Sequence, residues 1–179
     1  MEEVSPTFDL KRVLLRRVFF IDEDRTKYVS VGFYPARDYQ PLLEFGHVKR
    51  DKPTILVLAD RHVKTLAEML PRICESMCGG EDYGHSDGDF RLNTTGSWRV
   101  ARMTVDKQYI SLKLVELQHL SRLFYVVQNQ LDAYTNAMPD VLSYVTVALS
   151  STAYIEPAPN ASKHIMYPQL YEELKTVLL

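Results

Sequence analysis

Two stretches of the chain alternate ring-bearing and hydroxyl residues with apolar ones at period two, the second with a basic residue in the same register. One is Lys27-Tyr28-Val29-Ser30-Val31, running on to Tyr34; the other is Tyr109-Ile110-Ser111-Leu112-Lys113. On a β-strand such spacing sends the apolar residues to one side and the aromatic and hydroxyl residues, with Lys113 in the second stretch, to the other. A face of that kind can hold phosphates with its cations and stack planar bases on its rings. The bases cluster to match. Arg91, Arg99, Arg102, Lys107 and Lys113 stand against the single acid Asp106, a local charge of +4 in a stretch that reads as strands. Lys49, Arg50 and Lys52 crowd one turn, and Trp98 is the only tryptophan. If Val29, Val31 and Phe33 face a core, then Tyr28, Ser30 and Tyr34 face away from it. Inward Ile110, Leu112 and Leu114 likewise put Tyr109, Ser111 and Lys113 outward. Trp98 and Arg102 share a face with Arg99 on the other, and the pattern does not fix which of the two is outward.

Other chemistries find few residues to carry them. There is no G-x-x-x-x-G-K-[ST] loop, G-x-S-x-G elbow or H-E-x-x-H helix. Cys74 and Cys78 lie four apart and could join His62 or His85 in half a zinc site, but two thiols on one helix are more simply packed side chains. His62 and His119, one at the head of each expected helix, read as caps or core contacts. No catalytic residue, metal ligand or cofactor is therefore expected.

These residues sit in a chain of ordinary globular character. Of 179 residues, 46% are hydrophobic and 25% charged, with 7 Gly and 9 Pro, a profile that excludes disorder and low complexity. Apolar runs such as 56–59 and 144–149 fall far short of the roughly 20 residues that span a bilayer. The acidic start, Met1-Glu2-Glu3, lacks the basic and apolar regions of a signal peptide, so an intracellular protein with reduced cysteines is expected, in the nucleus or another compartment that holds nucleic acid. Net charge is only −2, which excludes a histone-like polycation. The charge is unevenly spread: beyond Arg122 there are two bases, Lys163 and Lys175, against five acids, leaving an acidic C-terminal third suited to protein partners.

An internal repeat positions the basic and aromatic residues. Residues 60–66 correspond, 57 positions on, to residues 117–123, with His62 on His119 and Leu66 on Leu123. The match runs back through Ile55 and Val57 against Leu112 and Leu114, and forward through Leu66, Leu70, Cys74 and Met77 against Leu123, Val127, Leu131 and Tyr134, a helical spacing. In the first copy, strands are expected at 18–21, 27–34, 42–48 and 55–58, followed by a helix over 61–77 that Pro71 would kink or split. In the second, strands are expected at 90–94, 98–105 and 109–115 and a helix over 118–136, one strand fewer unless residues 83–85 contribute. The division is an N-terminal segment 1–16, a first repeat 17–78, a linker 79–89, a second repeat 90–137 and a helical tail 138–179, with 17–155 expected to be one compact domain. Within the tail, helices are expected at 140–151 and 169–178. The fold class is α+β: tandem antiparallel ββββα or βββα units around a pseudo-twofold axis, helices on one side of the sheets and the opposite faces free.

The strand Lys27-Tyr28-Val29-Ser30-Val31, the segment around Leu43-Glu44-Phe45, the basic turn 49–53, the strand 55–58 and the helix from Asp60 resemble the single-stranded-DNA-binding domain of the transcriptional coactivator positive cofactor four. Carrying two such units in one chain, over residues 17–136, is similar to the Whirly proteins and related guide-RNA-binding proteins. The Lys-Gly-Lys-rich strand of plant Whirly proteins is missing, so the resemblance is to the group and not to a plant Whirly protein, and DNA versus RNA is left open. The resemblance implies a non-enzymatic protein of transcription, replication or RNA processing that grips single-stranded DNA or RNA along two curved sheets and forms a homodimer or higher homo-oligomer. The contrasting expectation is a protein-interaction module of the same fold that has lost its nucleic acid.

Overall fold

A computed structural model of the chain describes residues 13–48, 53–95 and 98–150. The fold is α+β, with a ββββα unit occurring twice. Strands β1 (Leu14–Phe20), β2 (Lys27–Tyr34), β3 (Gln40–His47) and β4 (Thr54–Leu58) precede helix α1 (Asp60–Gly79). Strands β5 (Tyr83–Asp87), β6 (Phe90–Thr95), β7 (Val100–Val105) and β8 (Gln108–Lys113) precede helix α2 (Leu114–Ser150). Each set forms one antiparallel sheet in simple sequential order, β1-β2-β3-β4 and β5-β6-β7-β8. Consecutive antiparallel strands need only short turns, and a two-residue turn at Gly88-Asp89 joins β5 to β6 while Asp106-Lys107 joins β7 to β8. Gly88 and Asp106 both take positive φ there, 59° and 52°.

Three expectations about the elements are corrected. The polar stretch 81–89 is not a plain linker: it contains β5 and completes the second sheet. Neither proline ends a helix. Pro71 is exposed, and buried Leu70 and Ile73 on either side hold α1 together across it; Pro139 is likewise exposed inside α2, with Val141 and Val145 buried beyond it. Packing of an apolar face outweighs the ~3 kcal/mol a mid-helix proline costs. The helices expected at 118–136 and 140–151 are accordingly one. The C-terminal helix expected at 169–178 lies outside the described residues, as does most of the acidic tail.

The repeat is real in topology, but its register is 54 residues, not 57. The buried positions of α1, Val63, Leu66, Leu70, Ile73 and Met77, fall 54 before the buried Leu117, Leu120, Phe124, Val127 and Leu131 of α2, and the inward Leu56 and Leu58 of β4 match Ile110 and Leu112 of β8 in the same way. A three-residue error turns a helix by only about 60°, so the apolar stripe still overlaps, but an odd shift reverses every strand side chain. Ile55 is thus exposed whereas Leu112 is buried, and His62 and His119 are not equivalent.

The described residues fall into two compact units. One gathers those up to Arg17, Gly32–Pro41 and those from Leu131; the other is Val18–Val31 with Leu42–Gln130. In the first, the rings of Phe33 and Tyr134 stack at 4.9 Å and the Tyr134 hydroxyl donates to the Leu15 carbonyl at 2.6 Å. The second carries the whole of the β5–β8 sheet. Its inward Phe90, Leu92, Ala101, Met103, Val105, Ile110 and Leu112 are buried, as are the inward residues of α1. α1 ends at Gly80, whose φ of 76° lets its own N–H and that of Glu81 reach the Met77 and Ser76 carbonyls.

Candidate nucleic-acid interface

In the second sheet the strand registers line up the outward side chains in rows. Ser86, Arg91, Thr104 and Tyr109 form one row across β5 to β8; Gly84, Asn93, Arg102 and Ser111 form the next; Thr95, Val100 and Lys113 form the third. Pairing alternates strictly along β6, buried Phe90, Leu92 and Thr94 against exposed Arg91, Asn93 and Thr95. The outward positions hold three bases and no carboxylate. Arg102 and Tyr109 are diagonal neighbours, and the guanidinium carbon sits 4.6 Å from the ring centroid, a cation–π contact on a ring that stays 49% exposed. Arg99 and Lys107 are exposed in the turns at either end of β7. Trp98 precedes β7 in its turn rather than beginning the strand, and is 79% exposed. An indole so placed contributes nothing to the core.

The first sheet differs. Every residue of β2 from Lys27 to Phe33 is buried and Tyr34 is half-buried, so this strand is covered on both faces. The expectation that Tyr28 and Ser30 offer open surfaces is overturned. Tyr28 is 1% exposed and its hydroxyl donates to the Glu44 carboxylate at 2.8 Å. Its ring occupies the space that a side chain at position 46 would need, which is why β3 carries Gly46 there. Gly32 is filled in the same manner by the Val13 side chain. Lys27 is also removed from any surface role: its Nζ is bonded to both oxygens of Glu116, at 2.9 and 2.7 Å, with both side chains 11% exposed. The signal was present in the sequence, because Lys27 shares the strand parity of Val29 and Val31. Lys49, Arg50 and Lys52 lie outside the described residues.

Behind the second sheet, the head of α1 grips the β5–β6 turn. The His62 ring, 2% exposed, stacks on Phe90 at 5.2 Å, and its Nε2 is 3.1 Å from Asp89 Oδ1. Arg61 reaches the same carboxylate oxygen at 2.8 Å. Partial burial would raise the Asp89 pKa, but a backbone hydrogen bond, His62 and Arg61 outweigh it and hold the carboxyl below its ordinary range. Tyr83 at the start of β5 bonds the Met69 sulfur of α1. These contacts fix the hairpin that carries Arg91 and Asn93. The sequence reading missed Asp89, Glu116 and Glu44, and the Asp87-Gly88-Asp89 triplet was the one available signal for the turn.

Elsewhere, burial followed by the neighbouring Cys78 raises the Cys74 thiol pKa. No group of three or more candidate metal ligands occurs among the described residues. No helix among them is long and apolar enough to cross a membrane. No family model matches the sequence, and no curated protein or solved structure matches it either.

Proposed function

We propose that this chain is a non-enzymatic protein that binds single-stranded DNA or RNA on the outer face of β5–β8, as a Whirly-like member of the positive cofactor four group working in transcription, replication or RNA processing. One observation carries the reading: three bases and a tyrosine project from a four-stranded face that bears no carboxylate. Unpaired bases can stack on such a surface, whereas the bases of a duplex are stacked on each other and out of its reach. Arg91, Arg102 and Lys113 would hold phosphates, Tyr109 and the exposed Trp98 would stack bases, and Arg99 and Lys107 would extend the positive field at the strand ends. Fluorescence anisotropy with labelled single- and double-stranded DNA and RNA, at two salt concentrations, tests it. Micromolar or tighter binding to single strands with weak duplex binding is expected; equal binding to duplex would overturn the reading.

Exposed Val115, Tyr125 and Val126 on α2 favour a second reading, in which this helix contacts protein, including a second copy of the chain in a homodimer or larger homo-oligomer. Light scattering tests the oligomer, which a mass near 20.7 kDa would refute.

A further inference from the structure

The two sheets share a topology but not a surface, and this limits the ligand. Over β2 and β3 the positions that would face a strand are filled: Tyr28 and Ser30 are buried, Gly46 lies beneath the Tyr28 ring, and Glu44 adds a carboxylate that repels phosphate. We infer that the ligand site is confined to the second sheet and takes a short single strand of three to four nucleotides; the inference rests on the function proposed above.

The size follows from the dimensions of the open face. Four strands spaced about 4.8 Å apart span roughly 14 Å. The three rows along β6, β7 and β8, two residues apart, span about 13 Å in the other direction. A single strand with splayed bases advances up to about twice the ~3.4 Å per nucleotide of a stacked duplex strand. The diagonal of the face thus seats three or four nucleotides. The charge count agrees independently: Arg91, Arg102 and Lys113 provide one cation per row, enough for three phosphates.

The experiment is a length series, oligo(dT) and oligo(rU) of two to sixteen nucleotides, titrated into the full chain by competition against a labelled strand. The two series separate a DNA from an RNA ligand. Each added base should strengthen binding several-fold up to about four nucleotides, since each stack is worth on the order of fivefold or more. Beyond that, affinity should grow only with the number of registers available, about fivefold from four to eight nucleotides. The slope of log affinity against log salt should be about −2, three phosphates at ~0.7 each. A rise of a hundredfold or more between four and eight nucleotides, or a slope steeper than about −4, overturns the one-sheet site while leaving nucleic-acid binding intact. Absence of saturable binding at every length overturns the proposed function itself, and the short site with it.

Discussion

The Nζ of Lys27, at the start of β2, lies between the two carboxylate oxygens of Glu116 in the first turn of α2. The 54-residue register makes Glu116 the counterpart of His62, and His62 makes the matching contact in the opposite direction, from the first turn of α1 to Asp89 in the β5–β6 turn. Each helix head is therefore tied to the first hairpin of the other repeat's sheet. Neither repeat's sheet is contacted by its own helix head alone.

Replacing Lys27 by Met should leave Glu116 as a largely buried charge without its ion partner. A loss of about 3–5 kcal/mol is expected, read as a lower denaturation midpoint in urea. Affinity of the folded fraction for single strands should not change.

Tyr28→Phe tests the closed face. Losing the bond to Glu44 should cost about 1–3 kcal/mol, with the single-strand affinity of folded protein unaltered. Gly46→Ala forces a methyl group against the Tyr28 ring, an overpacking penalty of about 1–3 kcal/mol. A loss of affinity in folded Tyr28→Phe protein would put the ligand back on the first sheet.

On the open face, charge and stacking separate by their response to salt. Arg102→Ala or Lys113→Ala should weaken binding and reduce the salt slope by about 0.7. Tyr109→Ala should cost on the order of 1–3 kcal/mol of binding with the slope unchanged.

Asp89 gives a pH signature. Its carboxyl titrates below the ordinary value of 3.8 in the folded chain, so the stability it contributes is present above about pH 4 and is lost as pH falls through the folded value. Asp89→Asn should lower stability at neutral pH and flatten the acid side of the stability profile, measured as thermal midpoint between pH 3 and 7. An unchanged acid limb would show that His62 and Arg61 do not depend on this carboxylate.

The strands that alternate apolar with polar residues were legible from sequence: β6, β7 and β8 stand close to where period two placed them, and Tyr109 and Lys113 do share the outward face, whereas the side taken by Arg91 and Arg102 came only from the strand registers. β5 was not legible because Tyr83-Gly84-His85-Ser86-Asp87 has no aliphatic residue; it is held by its ladder with β6 and by the α1 side chains beneath it. The covering of β2 was equally hidden, because alternation tells which residues share a face but not what lies on it. Tyr28 and Tyr109 occur in similar sequence contexts and end in opposite environments. The helices were recognised through their stripes, while Pro71 and Pro139 suggested breaks that burial of their neighbours prevents.

The fit of the Tyr28 ring over Gly46 links two positions 18 residues apart in the chain. Such a pair is expected to covary: among relatives, a side chain at 46 should be accompanied by a small residue at 28, and a large ring at 28 by glycine at 46.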